Sequence, residues 1–549
     1  MTADAGLPRR KFWGWGLEGE GASPDERARL VETMRRQLGV TELTAVAPPR
    51  VDEIPLPAPR LRPPATLAAI LTDDPHQRLA HTYGKSLPDS VRMFRRHAPS
   101  PPDLVAFPRD EADVAALLEW LDGETAAAIP FGGGSSVCGG VEPAVGESYA
   151  GAVSIDLARL DRVLEVDPIS LAARIQTGAR GPALEAQLRE HGLTLRHFPQ
   201  SFEHSTLGGW IATRAGGHFA TLVTHIDDLV ESLRAVTPAG VLETRRLPGS
   251  GAGPSPERLL LGSEGTLGIL TEAWMRVRPR PQFRAGAAVR FADFFAGAAA
   301  VRALAQSELF PANCRLIDAQ EAESAGAGPG GALLVLGFES ADHRLDPWLA
   351  RALELVRDHG GIAAVDPSTG DQGARAGAAA AWRHAFLRAP YFREVLTPMG
   401  VISDTFETAI PWSKLEALHQ GVFERMHRVM LEATGHPGHL TCRFTHVYPD
   451  GPAPYFSFRV LSSLGTMFEQ WREIKAAANE VVVALGGTIT HHHAVGRDHR
   501  PGWERERAPL FGEALRAAKG ALDPHGILNP GVLFDPVGRK VGITGAMAG

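Results

Sequence analysis

Three consecutive histidines, His491, His492 and His493, lie within "TITHHHAVGRDH", which runs from Thr488 to His499. Imidazole ionises nearest neutrality, so such a tract can pass protons, meet a phosphate or ligate a metal. The preceding "AAANEVVVALGG" predicts a helix ended at Gly486-Gly487, after which "TIT" opens an extended segment. Extended side chains alternate, so His491 and His493 are expected to share one side while His492 points away. An i, i+2 histidine pair is also a workable zinc geometry, with His499 or Asp498 as a further ligand.

A second kind of chemistry is suggested by three glycine-rich segments, "PFGGGSSVCGG" (130–140), "STLGGWIATRAGG" (205–217) and "GSEGTLGI" (262–269). Without a Cβ the backbone can approach an anion, and successive N–H groups form a nest for phosphate oxygens. None of the three is a GxGxxG or a GxxxxGK, so neither a Rossmann nor a P-loop reading holds. No GxSxG elbow occurs either, which weakens a serine-hydrolase reading.

The elements around these loops predict a two-part α+β chain. Residues 1–97 read as a helical N-terminal segment and linker, with Ser23 as N-cap of a helix and a proline-rich connector, "APPRVDEIPLPAPRLRPP". Residues 98–281 alternate short strands with helices. "DLVAFP" reads as a strand, "DEADVAALLEWL" as an amphipathic helix, and "VLEVDPISLAARIQTG" as a hairpin turned at Asp167-Pro168. Residues 282–480 form a second unit of helices and strands, and 481–549 a turn-rich C-terminal segment carrying the histidines.

Composition narrows the classes. A formal net charge of −7 over 549 residues argues against a general nucleic-acid binder. The 3 cysteines, Cys138, Cys314 and Cys442, lie far apart without a CxxC pair, which excludes a disulfide scaffold or cysteine-based cluster. No apolar stretch follows the basic N-terminus and none approaches the ~20 residues of a membrane span, so a cytoplasmic protein is expected.

"PFGGGSSV", "FPQSFEHSTLGGWIATRAGG", "DLVESLRAVTPAG" and "LLLGSEGTLGILTEAWMRVRP" occur in the order and spacing of the vanillyl-alcohol-oxidase-like flavoproteins, which the chain resembles. The resemblance implies a two-subdomain PCMH-type FAD-binding domain, a mixed α/β cap domain for substrate, and non-covalent FAD, because no histidine stands beside the first glycine loop. It assigns to cofactor binding Pro130, Gly132, Gly133, Gly134, Ser135, Ser136, Gln200, Ser205, Thr206, Gly208, Gly209, Thr213, Glu264, Thr266 and Ile269.

"KFWGWG", "CRLIDAQ", "YFREVL", "DTFETAIPW", "TCRFTHVYPDG" and "HHHAVG" are similar, more narrowly, to the alkyldihydroxyacetonephosphate synthase family, from about residue 9 to 533. That resemblance implies exchange of the acyl group of acyl-dihydroxyacetone phosphate for a long-chain alcohol, through an adduct at flavin N5 and without net redox change. It further implies Tyr455, His491, His492 and His493 as catalytic and Arg393 and Arg315 as substrate-binding. The stretch between about 320 and 390 would shape the acyl tunnel. No metal is assigned. Expected partners are these lipid substrates, with peripheral contact at the inner membrane face and a homodimer.

The alternative is an FAD-dependent 2-hydroxy-acid dehydrogenase of the D-lactate or glycolate type. Such enzymes carry HxGDGNxH and EHG(I/V)G, where this chain reads "THVYPDGPAPYF" and "HHHAVG".

Overall fold

The computed structural model describes residues 6–363, 388–536 and Val541. Part of the stretch expected to shape an acyl tunnel, 364–387, lies outside the described residues.

Asp110 accepts the Asp113 N–H and starts the helix Glu111–Glu124, whose Val114, Leu117, Leu118 and Leu121 are buried at helical spacing. This helix belongs to a small sheet in which Leu104–Ala106, Ala152–Asp156 and Ala127–Phe131 run parallel and Leu71–Thr72 pairs at the edge. The first glycine loop leaves the end of Ala127–Phe131. A five-stranded antiparallel sheet follows, ordered Val163–Asp167, Ala172–Gln176, Ile269–Arg276, Val230–Thr237, Gly240–Glu243. Its first two strands make the expected hairpin, with Asp167 accepting the N–H groups of Ile169 and Ser170 across the turn.

The second unit is a seven-stranded antiparallel sheet. Its order is Ile362–Ala363, Phe283–Phe291, Ala332–Ser340, Asn313–Ile317, His439–Val447, Pro452–Leu461, Val401–Glu407. Strand alternation gives this sheet two unlike faces. Leu440, Cys442, Phe444, Phe456, Phe458 and Val460 pack into one core with the helices Leu415–Thr434 and Met467–Ala484. Phe444, Phe456 and Phe458 are completely buried there, each stabilising the fold by roughly 1.5–3 kcal/mol. The intervening residues, Thr441, Arg443, Thr445, Tyr455, Ser457 and Arg459, line a cavity on the opposite face.

The two chain ends tie the units together. The Ala128 N–H donates to the Ile527 carbonyl and Asn529 N–H to the Ala128 carbonyl, both at 2.9 Å, so the C-terminal segment returns to the small first sheet. Near the N-terminus, Arg10 pairs with Asp156 at 3.1 Å and Lys11 with Glu394 at 3.0 Å. Ser23 and Glu26 form a capping box on the helix Pro24–Leu38, one side of which borders the cavity. Among the described residues no helix is long and apolar enough to cross a membrane.

Candidate active site

One cavity of about 1050 Å³ runs from the first glycine loop to the polar face of the seven-stranded sheet. Gly132, Gly133, Gly134, Ser135 and Ser136 line its inner end, opposite Gln200, Ser205, Thr206, Gly209 and Thr213. The two segments are pressed together: a Cβ on Gly133 would stand 1.9 Å from the His204 carbonyl oxygen and 2.7 Å from the Ser205 Cα. Only glycine lets the chains approach this closely and leaves bare backbone along the cavity, which suits a dinucleotide pyrophosphate.

Other residues assigned to the cofactor stand behind this wall. Pro130 packs beneath Gly265, and Gly208 sits against Thr177. Thr266 donates to the Ser263 carbonyl, and Ile269 is buried at the start of its strand. Glu264 accepts the N–H groups of Val495 and Gly496 at 2.9 Å, so it grips the histidine loop. Burial pushes its carboxyl up to about 7, against the pull of those backbone donors.

The histidine tract departs from the expected strand. Residues 491–493 bend around the buried Glu407 carboxylate, which accepts the N–H of His491 at 2.6 Å, His492 at 3.1 Å and His493 at 3.0 Å. The Thr490 hydroxyl adds a fourth donor at 2.6 Å. Three successive N–H groups can converge on one anion only if the chain is curled, so the side chains do not alternate. His492 and His493 therefore face the cavity together, and His491 turns behind them toward His225, His446 and Tyr448. Burial depresses all three imidazoles below their ordinary range, against the opposing pull of the Glu407 carboxylate. Burial alone would raise Glu407, yet the surrounding histidines and donors hold it well below the usual carboxylate range.

Tyr455 stands beside them, its ring stacked on His492 at 5.9 Å and edge-on to His493 at 5.5 Å. Its hydroxyl donates to Thr405 Oγ1 at 3.0 Å. The Arg443 guanidinium lies 3.9 Å from the centre of the Tyr455 ring and pairs with Glu321 at 2.7 Å. Burial raises the Tyr455 phenol, and Arg443 draws it back down.

Arg315 also lines the cavity. Arg393, on the helix spanning 388–396, reaches it with its fork divided between the Lys85 carbonyl at 2.5 Å and Asp404 at 2.9 Å.

Arg443, Thr405, Glu407 and His446 were missed by the motif reading. For Arg443 the signal was present as alternation: in "HLTCRFTHV" Thr441, Arg443 and Thr445 are polar while Leu440, Cys442 and Phe444, alternating with them, are core.

Donor atoms of His446, His491 and His492, and of Glu407, His492 and His493, lie within 4.8 Å of one another. Many are engaged already, as in the 3.1 Å contact between the Nδ1 atoms of His491 and His492. Among the described residues, His491 and His493 with His499 or Asp498 do not make such a group; the His499 Nδ1 bonds the Ala494 carbonyl at 2.8 Å.

Residues 102–245 match the family described as FAD binding domain, and residues 280–533 match the C-terminal domain of FAD linked oxidases. The chain is 33% identical over 484 residues to the alkyldihydroxyacetonephosphate synthase of Dictyostelium discoideum, covering 85% of this chain and 79% of that protein. It is 31% identical over 498 residues to the Caenorhabditis elegans protein of the same name, covering 84% and 81%. A solved alkyldihydroxyacetonephosphate synthase superposes with a TM-score of 0.78 at 27% identity, covering 95% of this chain and 99% of that one. With a glycine cradle that fits the cofactor, the chain is an FAD-binding member of the alkyldihydroxyacetonephosphate synthase family.

Proposed function

We propose that this protein exchanges the acyl group of acyl-dihydroxyacetone phosphate for a long-chain alcohol, a step of ether-lipid synthesis. The observation that carries the reading is the meeting, at one cavity wall, of Tyr455 with His492 and His493, beside the glycine cradle. Held by the cradle of Gly132, Gly133, Gly134, Ser205, Thr206 and Gly209, oxidised FAD would supply an electron-accepting centre.

Tyr455 serves as the base for the C1 proton, and the Arg443 guanidinium against its ring supports this role by favouring the phenolate. The ester bond between C1 and the acyl oxygen breaks, carboxylate leaves, and the alcohol oxygen bonds to C1. The neutral imidazoles of His492 and His493 hold and return the protons of these steps. Arg315 and Arg393 give the cavity the forked cations that a phosphate dianion requires. Electrons balance without an external acceptor.

The dehydrogenase alternative is weaker, since the chain lacks the GDGN sequence that such enzymes carry. Lipid substrates make peripheral contact with the inner membrane face, from a cytoplasmic location, part of this reading, as is a homodimer.

The test incubates the FAD-loaded protein with palmitoyl-dihydroxyacetone phosphate and hexadecanol, without an electron acceptor, and seeks alkyl product by mass spectrometry. Product is expected from the wild type and its loss from Tyr455→Phe and His492→Ala. Bleaching of the flavin by D-lactate or glycolate, with no alkyl product, would establish the dehydrogenase instead.

A further inference from the structure

His491 has no place on the cavity wall, yet both of its ring nitrogens are engaged. Its Nδ1 lies 3.1 Å from the Nδ1 of His492, and its Nε2 lies 2.8 Å from the Tyr448 hydroxyl. That hydroxyl donates to Thr224 Oγ1 at 3.1 Å, and Thr224 Oγ1 lies 3.2 Å from the His225 Nδ1. The His225 Nε2 faces the His491 carbonyl oxygen at 3.0 Å.

The proton positions follow from these partners. A carbonyl can only accept, so His225 carries its proton on Nε2 and leaves Nδ1 as an acceptor for the Thr224 hydroxyl. Thr224 therefore accepts from Tyr448, and Tyr448, having spent its own proton, accepts from His491 Nε2. That leaves His491 Nδ1 bare, so His492 donates to it from Nδ1. His492 Nε2 is then the open acceptor at the cavity end. From His492 to Thr224 every donor points away from the cavity toward His225, whose own Nε2–H rests on the His491 carbonyl.

The far end approaches solvent. His492 lines the cavity and Thr224 is buried, whereas Tyr448 and His225 are half-buried and Asp228, on the next turn, is exposed. Depression of the His491 and His492 pKa by burial keeps both rings neutral between transfers, which a relay needs.

We propose that His492, His491, Tyr448, Thr224 and His225 form a proton relay between the active cavity and solvent, with Tyr448 and Thr224 as its switching hydroxyls. It rests on the alkyl-transfer reading for the origin of its proton. A proton accepted at His492 Nε2 releases the one on Nδ1 to His491. His491 passes its Nε2 proton to Tyr448, Tyr448 its own to Thr224, and Thr224 its own to His225 Nδ1; the His225 Nε2–H then leaves the His491 carbonyl and gives its proton to solvent. Each transfer breaks one N–H or O–H bond and makes one. Because the overall reaction returns a proton to C1, the same path runs backward and needs no separate reset.

The experiment uses FAD-loaded protein and acyl-dihydroxyacetone phosphate deuterated at C1, with label loss to water followed by mass spectrometry. Wild type is expected to lose label during turnover. Tyr448→Phe and Thr224→Val should slow that loss by about 10–100-fold, the scale of a lost acid–base group, while Thr224→Ser restores it. Alkyl product with unchanged label loss in both broken variants would overturn the relay and leave the alkyl transfer standing. If wild type makes no alkyl product, the function reading fails, and a measurement independent of turnover decides the relay. The hydrogen-bonded imidazole N–H signals of His491 and His492 in proton NMR should then move together in Tyr448→Phe; a His492 signal that stays put would sink the relay.

Discussion

Glu407 and Glu264 hold one loop from opposite sides: Glu407, at the end of a cap-sheet strand, takes the N–H groups of His491, His492 and His493, and Glu264, from the FAD side, takes those of Val495 and Gly496. The histidine loop is thus suspended between the units by two buried carboxylates, and the imidazoles inherit their positions from backbone anchoring. "FET" and "HHH", far apart in the chain, are the two halves of a single anion nest.

Glu407→Gln replaces one acceptor oxygen with an amide that cannot accept, stranding buried N–H donors. A loss of about 1–3 kcal/mol of stability is expected, read in a denaturant melt. Alkyl-transfer rate should fall by about 10–100-fold as the imidazoles lose their alignment, with flavin content retained. A variant as stable and as active as wild type would show that the nest positions nothing. Acidification acts on the same anchor: its pKa is depressed in the fold, so its stabilising contribution is present above the ordinary carboxylate value of 4.5 and is lost as pH falls through the lower native one.

Glu264 has the opposite sign. Its native pKa, pushed up to about 7, exceeds the ordinary 4.5. The folded state keeps its proton where the unfolded state has released it, so this contribution is full below about 4.5 and gone once pH has risen through about 7. Stability measured from pH 4.5 to 7 should therefore decline less steeply in Glu264→Gln than in wild type. Superimposable pH curves would contradict the shift.

Gly133→Ala tests the cradle. The added methyl would meet the His204 carbonyl oxygen at 1.9 Å, and neither that backbone nor Ser205 can step aside. The purified variant should show a lower ratio of flavin to protein absorbance than wild type. A fully loaded variant would mean that the loop can open without losing the cofactor.

The glycine loops, the hairpin at Asp167 and the amphipathic helices were legible because each rests on local rules: backbone sterics, turn chemistry and period. Tyr455 was legible through its motif and its alternating strand. The curl at His491 was not, because it is imposed by Glu407, a residue more than eighty positions away whose role appears only once the sheet brings it alongside. Arg443 was hidden for a related reason, since its partner Tyr455 sits on the neighbouring strand and the register between them is a tertiary fact. Local sequence determined which residues alternate, while the fold determined what each polar face meets.

Arg443 and Tyr455 give a prediction of direction. The guanidinium 3.9 Å from the ring centre lowers the phenol's pKa against the effect of burial. Removing the cation in Arg443→Gln must let that pKa rise, so the pH at which the base ionises moves upward. The rising limb of kcat/KM against pH should shift to higher pH, and activity near neutrality should drop. Arg443→Lys keeps a charge but loses the planar fork that stacks on the ring and reaches Glu321, so its limb should fall between those of wild type and the glutamine variant. A limb that stays in place in both variants would show that Tyr455 is not the group titrating in the free enzyme.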